Sequence, residues 1–162
     1  MTKAAPVDPS DLDVGSLALF VGYTLSAEVL GELRAAGHPD LRMSHGLVFQ
    51  HLLALDRTIS ELAKLLGVTQ QAASKSAAEL ESLGYLTRVA DPADARVRRL
   101  RLSARAHDAI TCARAARARI DRTLAKQLGK ERLASTRQAL AEILELFGGA
   151  DAVRARRVRP PE

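Results

Sequence analysis

No tryptophan occurs among the 162 residues, and the aromatic side chains amount to two tyrosines and three phenylalanines. A core without many large rings must be filled by leucine, valine and alanine. Such a core is thin, so its helices pack closely or gain stability from a partner subunit. There is a single cysteine, which excludes an internal disulfide framework and fits a reducing compartment. The opening MTKAAPVDPSDLDVG carries prolines and three aspartates and has no apolar stretch of signal-peptide type. The most apolar run, Leu17 to Leu25, is far shorter than a bilayer crossing requires. A soluble, cytoplasmic protein with no membrane partner is therefore expected. Also missing are a glycine loop that could cradle phosphate, a paired-cysteine zinc motif and a His-Glu-x-x-His helix. The four histidines, His38, His45, His51 and His107, are dispersed. Catalysis needs a nucleophile or metal beside an oriented base, so no enzyme, cofactor or metal is read here.

The balance is basic, +5 at neutral pH, and polyanions are the natural partners of such a chain. Arginine concentrates between Arg88 and Arg122 and again near the carboxyl end. The chain is organised around Thr58 to Ser103. Thr58 and Glu61 have capping-box spacing. Ile59, Leu62, Ala63 and Leu66 follow at helical period, and Gly67 supplies a stop. Thr69 can cap a second helix, from about Gln70 to Ser82, whose seam is Ala73, Ala77 and Leu80. Its other side offers Gln70, Gln71, Ser74 and Lys75, two amides, a hydroxyl and an ammonium suited to base edges and phosphates. A solvated helix would look similar, but the turn spacing before it favours a helix-turn-helix. Gly84 closes this helix. Strand-like residues run from Tyr85 to Val89 and from Val97 to Leu102, around a turn at Asp91 to Arg96. Leu100 and Leu102 alternate with Arg99 and Arg101, so one side is apolar and the other cationic. The expected element is a wing with a basic tip, where Arg88, Arg98 and Arg99 are candidates for phosphate contacts.

Long amphipathic stretches flank this block. One runs from Asp11 to about Ala36, ending at Gly37. A shorter helix, capped by Ser44, reaches about Leu55. Two more run from the Ser103 cap to Leu128 and from Lys130 to Phe147, broken at Gly129, and suggest an antiparallel pair. The fold class is mainly α, with a two-stranded wing.

The block resembles the winged helix-turn-helix of the multiple antibiotic resistance regulator (MarR) family of bacterial transcription factors. The resemblance rests on ELAKLLGVTQQAASKSAAELESLGYL, on Asp94-Ala95-Arg96 in the wing, and on Leu102-Ser103 before the next helix. Leu41 to Phe49 is similar to the family's second helix, and the likeness spans nearly the whole chain. Ala106 stands where the family usually has glycine. The resemblance implies a homodimer that binds double-stranded DNA at a pseudo-palindromic operator and answers to a small aromatic or phenolic effector, most often as a repressor. It makes 11–148 one domain, with dimerisation helices at 11–36 and 103–148 and a DNA-binding lobe at 37–102. Residues 1–10 are then a flexible lead and 149–162 a basic flexible tail.

The expected DNA contacts are Thr69, Gln70, Gln71, Ser74, Lys75, Arg88, Arg96 and Arg98, with Asp94 bracing the wing. The family reading places Arg96 at the minor groove, where negative potential is concentrated. Tyr23, His45 and Phe49 fall in segments that flank the family's effector cleft; the plainer reading makes them core. Cys112 reads as a small buried hydrophobe, and the competing reading is a thiol redox switch. In family members that sense oxidants the cysteine lies in the first helix, where this chain has none. A winged helix used for protein contact is the remaining alternative.

Overall fold

The computed structural model describes residues 7–156. Seven α-helices and one β-hairpin follow in the order α1 (Val14–Ala35), α2 (Met43–Leu52), α3 (Ile59–Leu66), α4 (Gln70–Ser82), β1 (Leu86–Ala90), β2 (Arg98–Leu102), α5 (Ala104–Leu128), α6 (Lys130–Leu146) and α7 (Ala150–Arg154). The boundaries of α3 and α4 follow directly from local chemistry. Thr58 Oγ1 accepts from the Glu61 N–H, and the Glu61 carboxylate accepts from the Thr58 N–H at 2.7 Å, closing a capping box. Gly67 ends α3 at φ +66°, a left-handed conformation that costs glycine little. Thr69 then caps α4 by accepting from the Ala72 N–H. Leu62 and Ala63 of α3 are buried with Ala73, Ala77 and Leu80 of α4. Alanines on the inner face let the two helices lie close together.

The strands β1 and β2 pair antiparallel, with Leu86 opposite Leu102 and Ala90 opposite Arg98. Leu86, Leu100 and Leu102 are buried on the side facing the helices. A third edge comes from Arg57, which exchanges both backbone hydrogen bonds with Leu100 just before α3 begins. The tip is braced locally: Asp94 accepts from the Arg96 N–H at 2.9 Å, and Asp91 from the Ala93 N–H at 2.8 Å. Beside the tip, Arg99 pairs with Asp91 and Glu61 and donates to the Asp56 carbonyl. Arg101 pairs with Asp56 at 2.6 Å. Arg99 is therefore committed to joining the hairpin to α3, which removes it from the candidate phosphate contacts.

Helix α1 packs along α5, supported by an Arg119–Glu32 ion pair. Gly129, at φ +83° and ψ 151°, breaks the chain between α5 and α6. Asp121 and Arg137, eight residues on either side of Gly129, form an ion pair at 2.9 Å, so α6 folds back along α5. The core joins Val29 and Leu33 of α1, Val48, Phe49 and Leu52 of α2, Leu62 and Leu80, the hairpin leucines, and Ala106, Ala109 and Ala116 of α5.

Several sequence expectations need correction. Helix α2 starts two residues earlier than a Ser44 cap requires and ends at Leu52; its first turn is tied instead by the Arg42 N–H donating to His45 Nδ1. Within the lead at 1–10, Pro9–Asp11 forms a 3-10 turn capped by Asp8. The expected tail at 149–162 begins with α7, where Arg154 pairs with Asp151 and Glu145. Residues 1–6 and 157–162, including Arg157 and Arg159, lie outside the described residues. The run Leu17–Leu25 belongs to the longer α1, whose 18-residue window has mean hydropathy 1.4. By length and composition alone α1, unlike that run, is long and apolar enough to cross a bilayer. Much of its apolar surface is exposed, as is that of α6 at Leu140, Ile143, Leu144 and Phe147.

Arg99→Ala should free the hairpin from α3. Hydrogen exchange at Asp91 and Val97, whose amides close the wing loop, is expected to rise about tenfold while α5 stays protected; uniform protection would refute the bracing role. His45 and His51 supply a second test. Burial, and next to it the Arg42 charge, holds His45 below the usual histidine range; burial does the same for His51. A base kept neutral in the fold contributes fully above its unfolded pKa of about 6.5, and the contribution declines as pH falls toward the depressed folded value. The Tm should therefore drop between about pH 7.5 and 5.5, and His51→Leu should flatten part of that slope.

Candidate nucleic-acid interface

Of the α4 side chains expected to face a ligand, Gln71 and Lys75 are exposed, one turn apart on the outer side. Ser74 is half-buried beside them. Thr69 is occupied as the helix cap, and its hydroxyl still faces solvent. The Gln70 amide donates to Ser60 Oγ at 3.1 Å, so it stitches α3 to α4. In the wing, Arg96 and Arg98 are exposed, and neither guanidinium has an ion pair among the described residues. Arg88 is different: its Nε–H donates to both Glu81 oxygens at 3.0 Å, linking β1 to the end of α4. The freely presented groups are thus an amide, an ammonium and two guanidinium groups, with Asp94 fixing the backbone from which Arg96 projects.

A cavity of about 520 Å³ lies between α1, α2 and α5. Val29, Leu33, Phe49 and Ile110 contribute apolar wall, and Arg42, Arg114, Arg117 and Arg156 line it, with no aspartate or glutamate among the described lining residues. His45 and Phe49 are in the wall, as the sequence suggests. Tyr23 is not: it lies on the exposed part of α1, 65% accessible. The four arginines were not singled out by sequence reading. Arg114 and Arg117 could have been found, because their three-residue spacing places both beside the seam residues Ile110 and Ala113. Arg42 and Arg156 carry no such local signal; the Arg156 guanidinium reaches the Gln50 carbonyl at 3.3 Å across the fold.

Arg42 and His45 also connect the cavity to α4. The Arg42 guanidinium pairs with Glu79, and His45 Nε2 lies 3.8 Å from the other Glu79 oxygen. Cys112 is half-buried, its thiol facing the Glu32 carbonyl at 3.8 Å where α5 meets α1. Among the described residues, no group of three or more His, Cys, Asp or Glu side chains is placed to hold a metal ion.

Residues 40–97 match the sequence model described as the MarR family. Among curated proteins, no sequence matches the chain. Solved structures do. YusO from Bacillus subtilis is similar with a TM-score of 0.66 at 22% identity, covering 84% of this chain and 94% of that one. A MepR mutant from S. aureus, bound to an oligodeoxyribonucleotide, gives a TM-score of 0.61 at 19% identity, over 83% and 98%. Wild-type MarR from E. coli gives 0.60 at 21%, over 82% and 98%; another structure of MarR names it the Multiple Antibiotic Resistance Repressor. The matched segment holds α2, α3, α4, β1 and the wing turn, and the likeness in fold extends through the flanking helices. Residues 40–97 thus resemble the MarR family in sequence, and the chain shares the winged-helix fold of these solved structures.

Proposed function

We propose that the protein is a homodimeric, ligand-responsive transcriptional repressor that binds double-stranded DNA. One observation carries the reading: a MarR-family segment presents Gln71 and Lys75 on α4, with Arg96 and Arg98 exposed on the wing. In this reading α4 enters a major groove, where Gln71 meets base edges and Lys75 a phosphate, and Arg96 enters the adjacent minor groove. Thr69, Gln70, Ser74, Arg88 and Arg98 border the same contact, Gln70 and Arg88 mainly by holding their elements in place. Nucleic-acid binding by the MepR mutant and the repressor name of MarR support the assignment by analogy. The role is recognition, with no catalysis and no cofactor, by a soluble protein that shares the DNA's compartment.

Twofold pairing accounts for the exposed apolar surface on Phe20, Val21 and Tyr23 of α1 and on Leu140, Ile143 and Leu144 of α6, with Phe147 beyond it. Large contiguous apolar surface marks an interface, and a self-complementary patch is the ordinary basis of a C2 dimer. A dimer sets two α4 helices toward major grooves about 34 Å apart on a pseudo-palindromic operator. Residues 11–36 and 103–148 then serve as the dimerisation helices, and 37–102 as the DNA-binding lobe. A membrane-crossing role for α1 is less favoured, since its other face packs on α5 through Val29 and Leu33.

The cavity suits an effector with an aromatic or other apolar body and a negative charge, because four arginines and no carboxylate line it among the described residues. Such a ligand shifts DNA affinity only through its differential binding to two arrangements of the lobes. Nothing in the surroundings of Cys112 favours the redox alternative, and its contact with Glu32 suits packing between α1 and α5.

Footprinting on the region upstream of the protein's own gene should reveal a pseudo-palindromic site. Affinity for that duplex should fall by about three orders of magnitude between about 50 and 200 mM salt. Arg96→Ala should weaken it by about tenfold; wild-type affinity in that variant rejects the wing assignment. Phe147→Glu places a charge in the proposed interface and should shift the protein toward monomer in sedimentation velocity, with loss of operator binding. A stable dimer in that variant removes the carboxyl end of α6 from the interface.

A further inference from the structure

The cavity and the proposed DNA-reading helix share two side chains' worth of electrostatics. Arg42 sits at the start of α2 and lines the cavity; its guanidinium pairs with Glu79 of α4. Glu79 lies one turn beyond Lys75 and two beyond Gln71 on α4, so its charge is close to the groups proposed to meet DNA. His45, 99% buried, completes the cluster. Its Nδ1 lies 3.3 Å from the Arg42 backbone N–H and its Nε2 3.2 Å from the Arg42 guanidinium, with the Glu79 carboxylate farther off at 3.8 Å. Burial and the Arg42 charge both favour a neutral ring. Glu79 therefore has one full positive partner in the cluster, and that partner is also a wall of the cavity. No other lining arginine is paired with a carboxylate among the described residues.

We infer that Arg42 is a shared counter-ion, contested between Glu79 and an organic anion in the cavity, and that its transfer to the anion is how occupancy reaches α4. The inference rests on reading the cavity as the effector site. With the cavity empty, Arg42 neutralises Glu79 and anchors the middle of α4 to α2. An anion entering between Arg42, Arg114 and Arg117 draws the guanidinium away. Glu79 is then left charged against neutral His45, which cannot replace the ion pair. An unpaired carboxylate one turn from Lys75 repels the phosphate backbone, and α4 loses its tie to α2. Because coupling is reciprocal, DNA bound at α4 must weaken the anion by the same factor.

Glu79→Gln tests this without disturbing the cavity wall. The probe is 1-naphthoate, with neutral 1-naphthamide as the uncharged control, and probe affinity is read by calorimetry on the full chain. In the wild type, 1-naphthoate should bind better than the amide and lower affinity for the footprinted duplex by about tenfold. In Glu79→Gln, Arg42 is free, so 1-naphthoate should bind several-fold more tightly yet change DNA affinity by less than about twofold. Equal probe affinity in the two proteins, or equal loss of DNA affinity, overturns the shared counter-ion. Failure of the wild type to bind 1-naphthoate more tightly than the amide overturns the anion-site reading itself, and the inference with it. Should the protein bind no DNA, amide exchange along α4 replaces that readout: 1-naphthoate must speed it in wild type and not in Glu79→Gln.

Discussion

Tyr85 is fully buried between the end of α4 and the start of β1, and three other segments meet on its ring. Its N–H donates to the Leu80 carbonyl at 2.8 Å, which turns the chain out of α4, and its carbonyl accepts from Ser103 at 3.0 Å, which starts α5. Phe49 of α2 packs against the ring with centroids 5.8 Å apart, and the Arg105 guanidinium lies 4.9 Å over its face. The hydroxyl is 3.0 Å from His38 Nδ1, and His38 Nε2 is 3.0 Å from Asp108. A carboxylate only accepts, so His38 carries its proton on Nε2 and the tyrosine donates to Nδ1. This chain of bonds joins the loop after α1, the winged lobe and α5. In a protein with no tryptophan, one buried phenol does the work for which a larger core would supply several rings.

That junction bears on how a signal crosses the molecule. The proposed dimerisation helices α1 and α5 reach the lobe through His38, Asp108 and Arg105, all gathered around Tyr85. The Arg105 guanidinium also donates to the Gly37 carbonyl at 3.2 Å, holding the corner where α1 ends. Phe49, which packs on Tyr85, also lines the cavity, so a ligand there would adjoin this cluster. Side-chain bonds of this kind have discrete arrangements, which is what a two-state response requires.

The local parts of the fold were legible because their causes are local. Thr58 with Glu61, Gly67 and Thr69 set α3 and α4 by contacts within one turn, and the alternation of Leu100 and Leu102 with Arg99 and Arg101 oriented β2. What escaped was long-range. Nothing near Arg57 in sequence says that it pairs with Leu100, and Tyr85 reads as an ordinary strand residue until His38 and Phe49 are placed against it. Arg42 and Glu79 are separated by most of the helix-turn-helix, so only the fold reveals their pairing. Tyr23 failed as a cavity residue for a periodic reason: Val29 and Leu33 define the inner face of α1, and Tyr23 projects elsewhere.

Net charge alone says little about this surface, because the arginines divide by partner. Arg99 and Arg101 are held by Asp56, Glu61 and Asp91 and act as structural ties for the wing. The Asp91 carboxyl is held below its usual range by the Ala93 N–H and by Arg99, so the tie stays ionised well into acid. Arg96 and Arg98 project from the same hairpin without an ionic partner among the described residues. A hairpin that neutralises Arg99 and Arg101 and leaves Arg96 and Arg98 exposed keeps positive charge available to an external polyanion. The same division recurs at the cavity, where, among the described residues, Arg42 is paired and Arg114 and Arg117 are not. In both places a paired arginine fixes geometry next to an unpaired one, so positive charge is held in position where a ligand's charge, rather than the protein's own, completes it.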